Sequence, residues 1–249
     1  MPTWLEAGLW GLLGGGALVI GALIAWSTSV PPKVVASVMA FGSGVLISAV
    51  AFDLVEEAAK TGGLAATAAG FVGGAVAYLA ANIVLARHGA RHRKRSGDQQ
   101  PSEQEQSGSG AAIAIGALLD GVPESVVLGL GLLGGGSVSI SVLAAVFISN
   151  VPEGLSSAAG MKRNGRSARY VFGVWTGIAV ASAVAALLGY VLLGGAPPQV
   201  EAVITAIAAG AILTMIADTM IPEAFENTHA WTGLITTAGF LSAFAIGLA

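Results

Sequence analysis

Cysteine is absent from this 249-residue chain. That excludes a disulfide framework, a thiolate metal site and a cysteine nucleophile. Charge is almost as scarce. Only 10% of residues are Asp, Glu, Lys or Arg, against roughly 25% in a soluble domain. Histidine occurs three times, never inside an apolar run, which removes Ser-His and His-Glu-x-x-His chemistry from any membrane segment. No Gly-x-x-x-x-Gly-Lys-Ser/Thr loop is present, so no nucleotide is bound that way. Neither an enzyme, a prosthetic group nor a nucleic-acid partner is expected.

Hydrophobic residues make up 55% of the chain, and the mean hydropathy is +0.80. A search for apolar runs of about 20 residues, enough to span a bilayer, finds eight, at 5–27, 34–56, 64–86, 111–133, 138–161, 170–193, 200–221 and 230–249. The expectation is an all-α integral membrane protein with eight transmembrane helices in a single domain over 1–249. The breaks have turn chemistry: Val30-Pro31-Pro32-Lys33, Thr61-Gly62-Gly63, Gly134-Gly135-Gly136-Ser137 and Gly194-Gly195-Ala196-Pro197-Pro198. The first run is too long, and too poor in basic residues before it, for a cleaved signal. The 36 glycines suit close packing in lipid. Glycine-rich stretches such as 70–74 would serve equally within one subunit or between the two copies of a homodimer.

The basic residues test this reading. With both termini outside the cell membrane, the loops after helices one, three, five and seven face the cytoplasm. Lys33, then Arg87, Arg91, Arg93, Lys94 and Arg95, then Lys162, Arg163, Arg166 and Arg169 all fall in those loops, and only Lys60 falls outside. That is the positive-inside pattern. The longest loop, 87–110, holds His88 and His92 among its basic residues, and its second half reads as a disordered linker. A metal could bind the two histidines if the segment were helical. A solvated basic patch against anionic lipid is the simpler reading.

The chemistry lies in helices four and five. One carries Asp120-Gly121-Val122-Pro123-Glu124-Ser125, the other Ser149-Asn150-Val151-Pro152-Glu153-Gly154. This internal repeat of Val-Pro-Glu is of the kind found at transporter midplanes. Pro123 and Pro152 should kink their helices and free the carbonyls of Leu119 and Ile148. Asp120 and Glu124 share one helix face, and Asn150 and Glu153 another. Antiparallel, the two motifs would meet near the bilayer centre. A carboxylate there costs about 2.5–3.5 kcal/mol, and no Lys or Arg lies at that depth in any span. Protonation, a water-filled cavity or a bound cation remains.

The paired motifs resemble those of the ZIP (Zrt/Irt-like) divalent metal transporters, whose fourth and fifth helices carry His-Asn-x-Pro-Glu-Gly and His-Glu-x-Pro-Glu-Gly or close variants. Helix two, from Ala40-Phe41-Gly42-Ser43-Gly44 to Asp53-Leu54-Val55-Glu56-Glu57, and helix seven, with Asp218-Thr219-Met220-Ile221-Pro222-Glu223, are similar to their counterparts in that family. The resemblance implies eight spans with kinked helices four and five at the centre. It also implies a carrier that moves its central helices as a rigid element against the others.

Carried over by position, the family's metal site falls on Asp120, Gly121 and Glu124, and on Ser149, Asn150 and Glu153. Glu124 and Glu153 are intact; Asp120 replaces a usual His, Gly121 a usual Asn, and Ser149 a position often held by His or Gln. In helix six, where some members supply an acid for a second metal, Ser182 is only the nearest polar group, which favours one metal over two. The expected metal residues are therefore Asp120, Glu124, Ser149, Asn150 and Glu153. Their donors are all oxygen, which suits hard cations such as Mn²⁺, Mg²⁺ or Ca²⁺, and Fe²⁺ less so. Zinc is accommodated through its carboxylate chemistry.

The resulting expectation is a divalent cation transporter, working inward by alternating access. The alternatives are a carrier of another solute, proton-coupled, or a ZIP-like membrane protein that has lost transport. Asp218, Glu223 and Glu226 would line an exit or simply be solvated. Asp53, Glu56 and Glu57 would draw cations to the entrance or be solvated likewise.

Overall fold

The computed structural model describes residues 1–94, 100–101, 105 and 108–248. No strand occurs among them. The helices are α1 (Thr3–Ser27), α2 (Pro32–Ala49), α3 (Glu56–Leu85), α4 (Ser109–Leu130), α5 (Ile140–Arg163), α6 (Ala168–Leu193), α7 (Pro198–Met215), α8 (Ile221–Thr228) and α9 (Thr232–Gly247). Wide π-helical turns at Val50–Val55 and Ile216–Met220 join α2 to α3 and α7 to α8.

Six stretches are long and apolar enough to cross a membrane: Thr3–Ser27, Pro32–Ala90, Ser109–Leu130, Ile140–Arg163, Ala168–Leu193 and Pro198–Gly247. The runs expected at 34–56 and 64–86 are thus joined, and so are those at 200–221 and 230–249. The joins keep helical hydrogen bonding where coil was expected. Gly63 alone leaves helical geometry inside α3, at φ 77° and ψ 164°. A short 3₁₀ turn at His229–Trp231 connects α8 to α9, entered through His229 at φ 44°. Pro123 and Pro152 lie inside α4 and α5, whose helical assignment continues through both.

Small residues decide which helices lock together. A Cβ on Gly21 of α1 would strike the Val151 carbonyl of α5, and one on Gly154 would strike the Leu18 carbonyl in return. Gly11 and Gly15 seat α1 against Ala186 and Ser182 of α6, and Gly129 seats α4 against the Ala186 carbonyl. The same reciprocity joins α2 to α9 through Gly44 and Gly239, and α3 to α7 through Gly74 and Gly210. Contact at backbone distance is how helices associate where lipid offers no hydrophobic drive.

Two apolar clusters fill the interior. Val127, Leu128, Val142 and Val146 belong to one with Leu46, Ile212 and Met215. Ile113, Ala117, Leu155 and Met161 belong to the other with Leu18, Trp175 and Ile178. Each of α4 and α5 gives one half to each cluster, so the Pro-Glu motifs lie between them. Outward, α1 exposes Leu9, Leu12 and Leu13, and α6 exposes Val184, Leu188 and Leu192, apolar faces suited to hydrocarbon.

Candidate functional site

The five expected metal residues are all interior. Asp120, Glu124, Ser149, Asn150 and Glu153 are each at most 3% exposed. Two of the hydroxyls turn to their own helix: Ser149 Oγ donates to the Val146 carbonyl at 3.0 Å, and Ser125 Oγ to the Gly121 carbonyl at 2.7 Å. Such back-bonding satisfies a hydroxyl in an apolar setting. Asn150 Nδ2 donates to the Gly14 carbonyl of α1 at 3.0 Å. Glu124 lies in the same neighbourhood, yet neither of its carboxyl oxygens has a hydrogen-bond partner.

Asp120 is saturated. Tyr78 Oη of α3 donates to its Oδ1 at 2.5 Å. Arg93 forks onto it, Nε to Oδ2 at 2.9 Å and Nη2 to Oδ1 at 2.8 Å. Lys94 Nζ stands 3.3 Å from Oδ2 and 2.9 Å from Glu153 Oε2, bridging α4 to α5. The absence of basic residues from the spans, read from sequence, therefore does not leave the site uncompensated. Two cations reach it from the turn at 91–94, and both are buried. Arg93 and Lys94 form no solvated patch, which corrects that reading of the loop for these two residues. Burial opposes the charge of each, but Asp120, joined by Glu153, outweighs it and holds both above their ordinary pKa range.

Among the described residues, no three His, Cys, Asp or Glu side chains gather closely enough to hold a metal ion. Lys94 occupies the position between Asp120 and Glu153 instead. Two buried cations face three buried carboxylates, and Glu124 is the one that neither cation bonds.

The segment over which this geometry is built matches a known family. The model of the ZIP zinc transporter family fits residues 79–248, from within α3 to the end of α9. The chain belongs to the ZIP family. Among curated proteins none matches it. ZIP proteins are transporters of divalent metals and not enzymes, and this one is a multi-pass helical membrane protein on the same grounds.

The other acids of this ZIP protein separate by environment. Glu223 of α8 is buried, with its Oε1 3.2 Å from Ser156 Oγ, and the same hydroxyl also reaches the Lys94 carbonyl. Asp218 and Glu226 are exposed. At the opposite end, Asp53 accepts from Ser139 Oγ at 3.1 Å and Ser141 Oγ at 2.8 Å. It borders a cavity of about 310 Å³ with Glu57 and Glu201. Glu56 pairs with Lys60 at 2.6 Å on the surface.

His88 and His92 do not share a helical face, because Gly89 between them takes φ 99°. His88 Nδ1 lies 2.8 Å from the Val84 carbonyl. Most of the expected linker, including Arg95, lies outside the described residues.

Arg93, Lys94 and Tyr78 are the site residues that sequence reasoning missed. Hydropathy assigns 91–94 to water, and helical periodicity says nothing of a turn that folds back. A faint signal existed in Gly116 of α4, where a Cβ would lie 2.5 Å from Arg93 Cδ. A glycine there keeps room for the arginine stem.

Proposed function

We propose that this ZIP protein carries a divalent cation toward the cytoplasm by alternating access, binding it among the oxygens of Glu124, Glu153 and Asp120 with Asn150 and Ser149 alongside. The observation that carries this reading is Glu124, a buried carboxyl with two unpartnered oxygens beside a second carboxyl already engaged by a cation. Such a group is costly unless protonated or bound to a positive ion. The donors are oxygen alone, so a manganese-like or broad preference fits better than strict selection of zinc.

The reading takes each of the two long stretches as two crossings, eight in all. A continuous helix of 59 residues, the length of Pro32–Ala90, would extend about 90 Å, three times the hydrocarbon core. Gly63 and His229 are where the chain would turn back. The cytoplasmic side is assigned from the basic loops.

Uptake into proteoliposomes carrying a metal-sensitive dye tests this, with Mn²⁺, Fe²⁺, Zn²⁺, Mg²⁺ and Ca²⁺ compared in the natural protein and in Glu124→Gln/Glu153→Gln. Saturable uptake lost in the double variant supports the site; uptake that survives it removes the site. An unpartnered buried carboxyl also suits a proton carrier. Proton flux without any metal, dependent on Glu124, would favour that second reading.

A further inference from the structure

Lys94 stands where a bridging cation would stand. Its ammonium lies between carboxylates of two different helices, 3.3 Å from Asp120 Oδ2 and 2.9 Å from Glu153 Oε2. No other described Lys or Arg is paired with Glu153.

The turn that delivers it is fastened on three helices. From α3, Tyr78 and Asn82 hold the Arg93 guanidinium, at 2.9 Å from Nη2 and 2.8 Å from Nη1. From α4, Asp120 takes the bidentate fork, and Gly116 leaves space for the stem to pass. From α5, Ser156 bonds the Lys94 carbonyl. Gln100 Nε2 then ties the Arg93 carbonyl to that of Ser157, at 3.1 Å each. The two cations suit different tasks. A planar guanidinium in a bidentate pair is a fixed anchor, whereas an ammonium on a four-carbon stem is a movable point charge.

We propose that Lys94 is a tethered stand-in for the transported ion: its ammonium holds Asp120 and Glu153 in the unloaded protein, and a divalent cation binds there only when Lys94 leaves. Arg93 is the positioning residue that aims it. This rests on the metal-site reading given above. The physical case is mutual exclusion. Two cations cannot share one pair of oxygens in a low-dielectric interior, and an unloaded carrier with bare carboxylates would hold uncompensated charge in the bilayer. A built-in counter-ion meets the second need and imposes the first. The lysine sets an affinity threshold that the metal must exceed.

The full-length protein in lipid nanodiscs, titrated with Mn²⁺ or Zn²⁺ alone, tests the proposal through two readouts. One is the dissociation constant by calorimetry. The other is amine acetylation resolved by peptide, with the exposed Lys33, Lys60 and Lys162 as internal controls. Lys94→Gln should bind metal about tenfold more tightly or better, and Lys94→Arg should restore the weaker binding. In the natural protein Lys94 should resist acetylation without metal and react with it. Gly116→Ala crowds Arg93 without removing a charge, so it should expose Lys94 to acetylation before any metal is added; this arm holds even if Lys94→Gln folds poorly. Equal affinity in the natural protein and Lys94→Gln, or a Lys94 still protected at saturating metal, overturns the proposal and leaves the metal site standing. No binding by either protein overturns both.

Discussion

Tyr78 of α3 and Asp120 of α4 share a 2.5 Å hydrogen bond in the interior, and the same carboxylate is gripped by both ends of the Arg93 fork. Asp120 thereby becomes the best-satisfied acid of the site, whereas Glu124, one helical turn further on, is the least.

Breaking the fork from one side should be expensive. Arg93→Ala leaves Asp120 with less compensation and should lower stability by about 3 kcal/mol, the usual scale for one lost member of a buried pair. Arg93→Met with Asp120→Leu should recover most of that loss. Thermal unfolding in detergent, followed by circular dichroism, measures both; a double variant no better than the single one would contradict the pairing.

The two Pro-Glu glutamates should respond oppositely to neutralisation when no metal is present. Glu153→Gln strips Lys94 of its nearer partner and should cost about 3 kcal/mol. Glu124→Gln removes a carboxyl with no hydrogen bond to lose, so stability should stay within about 0.5 kcal/mol or rise. Equal losses in both variants would show that Glu124 has a partner after all. Added metal at about a hundred times its dissociation constant should stabilise the natural protein by about 2.7 kcal/mol, and neither variant.

Glycines of α1 should divide sharply. Gly21→Ala drives a methyl into the Val151 carbonyl and should cost about 1–3 kcal/mol by overpacking. Gly16→Ala meets nothing within 4 Å and should gain up to about 1 kcal/mol from helix propensity. Unfolding midpoints of the two variants, side by side, decide it.

The crossing count is open to cysteine mapping, since the chain brings no cysteine of its own. In intact cells, Thr61→Cys and Gly195→Cys should react with an impermeant maleimide, whereas Thr28→Cys and Gly165→Cys should react only after permeabilisation. Protection of Thr61→Cys under both conditions would mean that the stretch does not surface at Gly63.

Composition alone made the membrane class and the helical architecture legible, because lipid leaves a chain this apolar few other options. The interior position of Asp120, Glu124, Asn150 and Glu153 was legible too: the repeated Val-Pro-Glu motif sits mid-run in both helices. What sequence patterns could not convey was the return of Arg93 and Lys94. Their neighbours are hydrophilic, and nothing local tells a turn that dips inward from one that stays in water. The joined stretches were missed for a related reason. Thr61-Gly62-Gly63 has every mark of a break, yet only Gly63 departs from helical geometry.

The glycine contacts have a mechanical consequence. Through Gly21, Gly154, Gly11, Gly15 and Gly129, helices α1, α4, α5 and α6 interlock as one body, and all three carboxylates ride on it. Tyr78 and the root of the 91–94 turn ride on α3, which is keyed instead to α7. A slide of one body past the other would draw the ammonium out of its seat while leaving the ligands in formation, so that unlocking the site and moving it become a single displacement.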